Sequence, residues 1–169
     1  MKRAIFAVVT AFFALAVCIP PVLAQDTSQR TGSAANSFIL VVSDRESRVI
    51  AEIPLQNYRF DHVFVHSYHL TPVVERFTVV AGPGGKPVLH LFELEYESSG
   101  VGMPADAEGG YHLVDGKFIL DMSRDFTVIP VMVSIVAGHG IIADGHFYLF
   151  TDWVPQETQL FLAAKAAFR

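Results

Sequence analysis

The sequence predicts an all-β protein, an antiparallel β-sandwich or open barrel forming a single domain, and three observations carry that prediction. Between residues 37 and 157 the apolar residues either alternate or form short continuous runs, and no stretch sustains the 3.6-residue period of a helix. Turn residues punctuate these runs at Asp44-Arg45-Glu46-Ser47, Gly82-Pro83-Gly84-Gly85, Asp115-Gly116 and Asp144-Gly145. Hydrophobic residues make up 51% of the 169-residue chain, enough for the interior of one domain even though the N-terminus inflates the figure.

That N-terminus reads as an export signal. Met1-Lys2-Arg3 is basic, Ala4–Ile19 is mostly apolar, Pro20-Pro21 interrupts the run, and Val22-Leu23-Ala24 ends in the small residue that signal peptidases accept. The run is shorter than the ~20 residues a spanning helix needs. Residues 1–24 are therefore expected to be removed, leaving a periplasmic or secreted protein with no stable membrane insertion. Leu15-Ala16-Val17-Cys18 superficially suits lipidation at Cys18, but Val17 is bulky where such sites want a small residue. Cleavage after Ala24 leaves 145 of the 169 residues, and losing Lys2 and Arg3 moves the formal charge from −5 to −7. An acidic chain argues against nucleic acid or anionic membrane as its main partner. Cys18 is the single cysteine, so the mature chain forms no internal disulfide and depends on its core.

Residues 25–36 are small and polar, a flexible leader, and residues 37–169 form the one β-rich domain. Ser37–Ser43 is a continuous apolar run, a buried strand; Arg48–Leu55 is a second strand, stopped near Pro54. In Arg59–His66 the residues Phe60, His62, Phe64 and His66 share one face. In Val73–Ala81 the residues Val73, Glu75, Phe77 and Val79 do the same, which puts Glu75 on the apolar side. Lys86–Glu97 alternates with Val88, His90, Phe92, Leu94 and Tyr96 on one side. A Gly-, Pro- and acid-rich loop over 100–110 leads to Tyr111–Val114 and Lys117–Met122, joined by the two-residue hairpin signal Asp115-Gly116. Asp125–Val136 is β-branched, with Pro130 marking an edge or a bulge. Two short strands follow around His139-Gly140 and His146–Asp152, and Leu160–Arg169 fits either a last strand or a short helix.

The stretch from His66 to Glu75 carries most of the versatile side chains. Pairing its flanking strands about Leu70 sets His66 roughly opposite Glu75. A charge on an apolar strand face costs several kcal/mol without a partner. Glu75 is therefore expected to accept hydrogen bonds from His66, Ser67 or backbone amides, whether as a structural pin or as a ligand contact. Metal ligation is not expected: His62 and His66 share a face but stand ~13 Å apart along a strand, and no third close ligand joins His66 and His69. Asp61 and Glu75 point to opposite faces, so they make no hydrolytic pair. No nucleophile elbow, phosphate loop or dinucleotide fingerprint is present, and no cofactor is expected. Tyr148 and Trp153 are expected to close the sandwich.

Two blocks resemble a known family. The first is His66-Ser67, Thr71-Pro72-Val73 and Glu75; the second is Ser98, Gly100, Gly102 and Pro104. Their order and spacing are similar to the domain of unknown function eighteen-fifty family, small exported bacterial proteins commonly encoded beside TAXI-type TRAP transporter permeases. The likeness runs from about Phe38 to Trp153 and is loose after Asp125. Leu70 stands where the family usually has a basic residue and Ser99 where it usually has an apolar one. Leu70 weakens any idea of a cation neutralising an anionic solute there. The resemblance implies association with solute uptake, and its two blocks supply the candidate binding residues His66, Ser67, Thr71, Pro72, Glu75, Ser98, Gly100, Gly102 and Pro104. Strand register is expected to bring Glu75, His66 and the Ser98–Pro104 loop to one small polar site.

Two functions follow as expectations. One is a non-enzymatic periplasmic accessory protein that binds a transporter permease, its solute-binding protein or a small solute. The other is a small β-sandwich enzyme acting on a periplasmic carbohydrate or peptide. The surroundings of Glu75 discriminate: a satisfied carboxylate without a cleft favours the accessory role, and an open pocket holding a second titratable group favours the enzyme. The mature chain is expected to begin at Gln25, and the intact mass of secreted protein checks this. A lipid-modified Cys18, or a chain still starting at Met1, overturns it.

Overall fold

A computed structural model describes residues 37–97 and 108–167, all within one compact unit, Ala34–Arg169. The expected signal peptide, the leader and Ser98, Gly100, Gly102 and Pro104 lie outside the described residues. Eleven strands are described: β1 (Phe38–Ser43), β2 (Val49–Leu55), β3 (Arg59–Val65), β4 (Pro72–Ala81), β5 (Pro87–Tyr96), β6 (Tyr111–Val114), β7 (Lys117–Phe126), β8 (Ile129–Met132), β9 (Gly140–Ala143), β10 (His146–Leu149) and β11 (Gln159–Ala166). All pairings are antiparallel. One sheet runs β2-β1-β11-β8 and the other β10-β9-β3-β4-β5-β7-β6, an open sandwich not closed into a barrel.

The alternation read from the sequence explains the core. Leu40 and Val42 of β1 and Leu160 and Leu162 of β11 turn inward from the smaller sheet. Phe60, Val73, Phe77, Val79, Leu120 and Ile141 do so from the larger one, in one buried cluster. The rings of Phe60 and Phe77, directly paired across β3 and β4, stack with centroids 5.1 Å apart. β4 occupies the middle of the seven strands, so Glu75 stands at the centre of the larger sheet.

Several local expectations change. β2 does end at Leu55, one residue past Pro54, but Pro54 itself pairs with Ile39 inside the strand, tolerated because β2 is an edge. Phe92 and His90 are not on the core face of β5. A β-bulge at Phe92 leaves it out of register with both neighbours, so Leu89 and Leu91 face inward before it and Leu94 and Tyr96 after it. The run from Asp125 is split: Asp125 and Phe126 end β7, and Ile129–Met132 alone forms β8, with Pro130 on the edge strand as the residue type requires. The Ala-rich end is a strand between β1 and β8, since its alternating Leu160 and Leu162 complete the core. The Gly82–Gly85 turn and the Asp115-Gly116 hairpin are present, Asp115 and Gly116 both taking positive φ. Tyr148 and Trp153 pack against the core, their rings 6.0 Å apart.

Phe77→Ala is expected to cost about 3–5 kcal/mol of unfolding free energy by emptying the space against Phe60. Val136→Ala, at an exposed position, should stay within about 0.5 kcal/mol. Urea denaturation of both variants checks the contrast.

Candidate functional site

The β3–β4 hairpin sets the site, and its register differs from the expected one. His62, not His66, lies opposite Glu75, and Val65 lies opposite Pro72. The hairpin turns about Tyr68 and His69 rather than Leu70. His66 N–H donates to Thr71 O at 2.9 Å, and Leu70, in the left-handed region at φ 55°, donates its N–H to His66 O at 2.8 Å. His66 Nδ1 accepts from the backbone N–H groups of Tyr68 and His69, both at 3.3 Å. These bonds hold residues 66–71 as a compact loop, which a centre at Leu70 would not allow. Thr71 and Pro72 close this loop and begin β4.

The carboxylate on the apolar face is satisfied by a histidine. Glu75 Oε2 lies 2.8 Å from His62 Nδ1, and His62 Nε2 lies 3.1 Å from His139 Nδ1. His62 is 4% exposed, and its ring lies near those of Phe64, Phe150 and His139. The chemistry of the contacts assigns the tautomers. Nδ1 of His62 faces a carboxylate and must carry the hydrogen. In neutral imidazole its Nε2 then accepts, so His139 Nδ1–H donates. His139 Nε2 is left as a lone pair. It has no hydrogen-bond partner among the described residues and is not a buried orphan, because His139 lines an open cavity.

Backbone geometry explains why His139 reaches this position. Gly138 takes φ 55° in the turn that follows β8, and Val65 N–H donates to Ala137 O at 2.7 Å, tying that turn to the end of β3. Phe150 N–H donates to His139 O at 3.0 Å. Gly140 admits the ring of Phe147, since a Cβ there would sit 2.4 Å from it. Glycines thus flank the histidine for two different reasons, a left-handed turn and a close approach.

The cavity has a volume of about 520 Å³ and combines apolar walls (Phe64, Val73, Leu94, Met132) with His66, Ser67, Glu75, Ser134 and His139. His66, Ser67 and Glu75 are therefore brought together around one space, though not by direct pairing of His66 with Glu75. Thr71 and Pro72 are not among its lining. A concavity of about 570 Å³ around Asn57, Arg59, Asp61 and Asp144 joins no comparable chain of hydrogen-bonded titratable groups among the described residues.

Electrostatically, the two faces of β4 differ. On one, Arg76 is hydrogen-bonded to Glu93 and, at 2.6 Å, to Glu95, which also receives Lys117 at 2.6 Å. The Lys117 hydrogen bond holds Glu95 below the usual carboxylate range, and burial raises Asp61. On the cavity face, burial above all, then repulsion from His62, lowers His139 to about 4 from 6.5, with Glu75 opposing. His139 is thus a neutral base. No group of three potential metal ligands occurs among the described residues.

Two members of the site, His62 and His139, were not candidates from the sequence. Alternation did place His62 on the inner face with Phe60 and Phe64, which was the available signal for a partner to Glu75. His139 carried only its flanking glycines.

A family model described as a domain of unknown function, DUF1850, matches residues 60–150. That span holds every described lining residue of the cavity. No curated protein and no solved structure matches the chain.

The lowered affinity of His139 for a proton fixes a pH effect. Between about 4 and 6.5 the unfolded chain binds the proton and the folded chain resists it, so stability is present above that range and is lost as pH falls through it. His139→Phe is expected to flatten this part of the melting-temperature profile. An unchanged slope in the variant would show that another group is responsible.

Proposed function

The chain belongs to the DUF1850 family, and from that premise we propose that it is an exported, non-enzymatic accessory protein of a TAXI-type TRAP solute transporter. It binds a small solute in the cavity beside Glu75 and docks on the permease through the cavity rim.

The observation that carries this reading is the character of the rim. No Asp, Glu, Lys or Arg occurs between Asp61 and Glu75 or between Asp125 and Asp144. The loops from these two uncharged stretches flank the cavity, joined by the Val65–Ala137 hydrogen bond. They carry Tyr68, Leu70, Ile135 and Val136 at 72%, 67%, 67% and 63% exposure. Large apolar side chains grouped without charge on an acidic protein suit an apolar partner surface. A solute cavity opening inside such a rim suits transfer between this protein and a permease.

A specific observation also favours the enzyme acting on a periplasmic carbohydrate or peptide. Glu75 is 27% exposed in an open cavity with His66 and His139, the condition that supports that reading. The carboxylate orients His62, which orients His139, an arrangement suited to a general base. Among the described residues no hydroxyl group is hydrogen-bonded to His139, so none of them is placed as an activated nucleophile, and the binding role is preferred.

Cross-linking of the mature protein to solubilised membranes of its host, with identification of what is captured, tests the accessory role. Recovery of a multi-spanning permease, lost by roughly tenfold or more in the double variant Tyr68→Asp with Ile135→Asp, is the expected result. Capture of the solute-binding protein alone would move the contact to another component. Turnover of glycan or peptide pools, abolished in His139→Gln, would replace the accessory role with the enzyme.

A further inference from the structure

We infer that the cavity beside Glu75 takes a small organic cation, an ammonium group on a short apolar body, and that one proton competes with it through the Glu75–His62–His139 chain. This rests on the reading of the cavity as a solute site.

Of the polar groups that face the cavity, Glu75 and His139 present acceptors, Ser67 and Ser134 carry hydroxyls that donate or accept, and His66, whose Nδ1 accepts from two backbone N–H groups, keeps its hydrogen on Nε2. Glu75 uses Oε2 for His62, and Oε1 has no hydrogen-bond partner among the described residues. His139 presents its Nε2 lone pair once its Nδ1–H is given to His62. No Lys or Arg is among the described lining residues, and Arg76 is engaged on the other face of β4 by Glu93 and Glu95. A carboxylate ligand would meet Glu75 with no cation to offset it, and its desolvated charge would be unpaired. An ammonium group meets a carboxylate and a neutral imidazole, which are charge-assisted acceptors. Phe64, Val73, Leu94 and Met132 give its body an apolar wall, with room in about 520 Å³.

The proton competes because the chain can carry it away from where it enters. An N–H bond forms at His139 Nε2; the N–H bond at His139 Nδ1 breaks as that proton passes to His62 Nε2. The positive charge then rests on His62 against the Glu75 carboxylate, and His139 is neutral with its hydrogen on Nε2. Every hydrogen bond of the chain survives with its direction reversed between the two rings. Both features that hold an ammonium are lost: the His139 acceptor becomes a donor, and the carboxylate is neutralised from within. The titratable groups facing the chain reinforce this sign. They are His62 from β3, Glu75 from β4, His139 itself, and His66 from the hairpin. Neighbouring β5 contributes Leu94 and the turn after β8 contributes Ser134. Protonating His66 adds like charge, which also opposes a cation.

Three probes of one shape test the inference on the mature protein: phenethylammonium, 2-phenylethanol and 3-phenylpropionate. Histidine ring ¹⁵N shifts report both tautomers and binding. The expected spectrum at pH 8 has His62 and His139 protonated on Nδ1 and bare on Nε2. The expected binding order is ammonium before alcohol before carboxylate, with ammonium affinity falling up to tenfold per pH unit once the chain takes its proton. Glu75→Gln should weaken ammonium binding roughly tenfold or more. His139→Phe, which leaves the carboxylate in place, should weaken it less and remove the pH dependence that passes through the chain. Carboxylate bound tightest, or alcohol bound as well as ammonium, overturns the cation class while keeping the cavity as a solute site. A hydrogen on His139 Nε2 at pH 8, or pH-independent ammonium binding, overturns the relay. No shift with any probe overturns the cavity reading itself.

Discussion

Placing a carboxylate on the inner face of a central strand forces the arrangement around it. Glu75 cannot be left without a partner there, because an unpaired charge removed from water costs several kcal/mol. His62, directly across the β3–β4 pair, supplies the first hydrogen bond. That bond fixes the His62 tautomer, and the tautomer makes Nε2 an acceptor that needs a donor of its own. His139 meets the need, which ties the turn after β8 to the middle of the larger sheet. A single polar substitution in an apolar stripe thus propagates through two rings to the surface of a cavity.

The apolar part of the sandwich makes this affordable. The rings of Phe64 and Phe150 lie 5.2 Å and 6.1 Å from that of His62. They keep His62 dry, which strengthens its bond to Glu75. The same dryness keeps His139 neutral, with its proton affinity lowered by burial. Stability and site chemistry therefore share residues, and core packing at Phe150 bears on the protonation of the cavity.

One end of the sandwich is organised differently from the rest. Ion pairs lie on the outer face of β4 and its neighbours, where Arg76, Glu95 and Lys117 join three strands. At the cavity end the hairpin and the turn after β8 carry no Asp, Glu, Lys or Arg. The compact loop from His66 to Thr71 explains how so short a connection displays Tyr68 and Leu70 outward. Its backbone hydrogen bonds go to itself and to His66 Nδ1, leaving the apolar side chains outside. His69 is the exception, with a buried Nε2 that has no hydrogen-bond partner among the described residues.

Local patterning by itself determined the all-β class, the strand faces and the tight turns, because a period of two and positive-φ residues are read from neighbours along the chain. It placed Glu75 on the apolar side of its strand and His62 on the apolar side of the preceding one. What it left undecided was which residues meet. The hairpin register depended on how residues 66–71 fold onto His66 Nδ1, and a shift of the turn centre exchanged His66 for His62 as the partner of Glu75. The bulge at Phe92 reversed the faces of half a strand, and neither the bulge nor its position leaves a period to detect. His139 entered the site through a contact spanning 77 positions of sequence. Only the pairing of β9 with β3 and the tie from Val65 to Ala137 decide such a contact, because distance along the chain carries no information about distance across a sandwich.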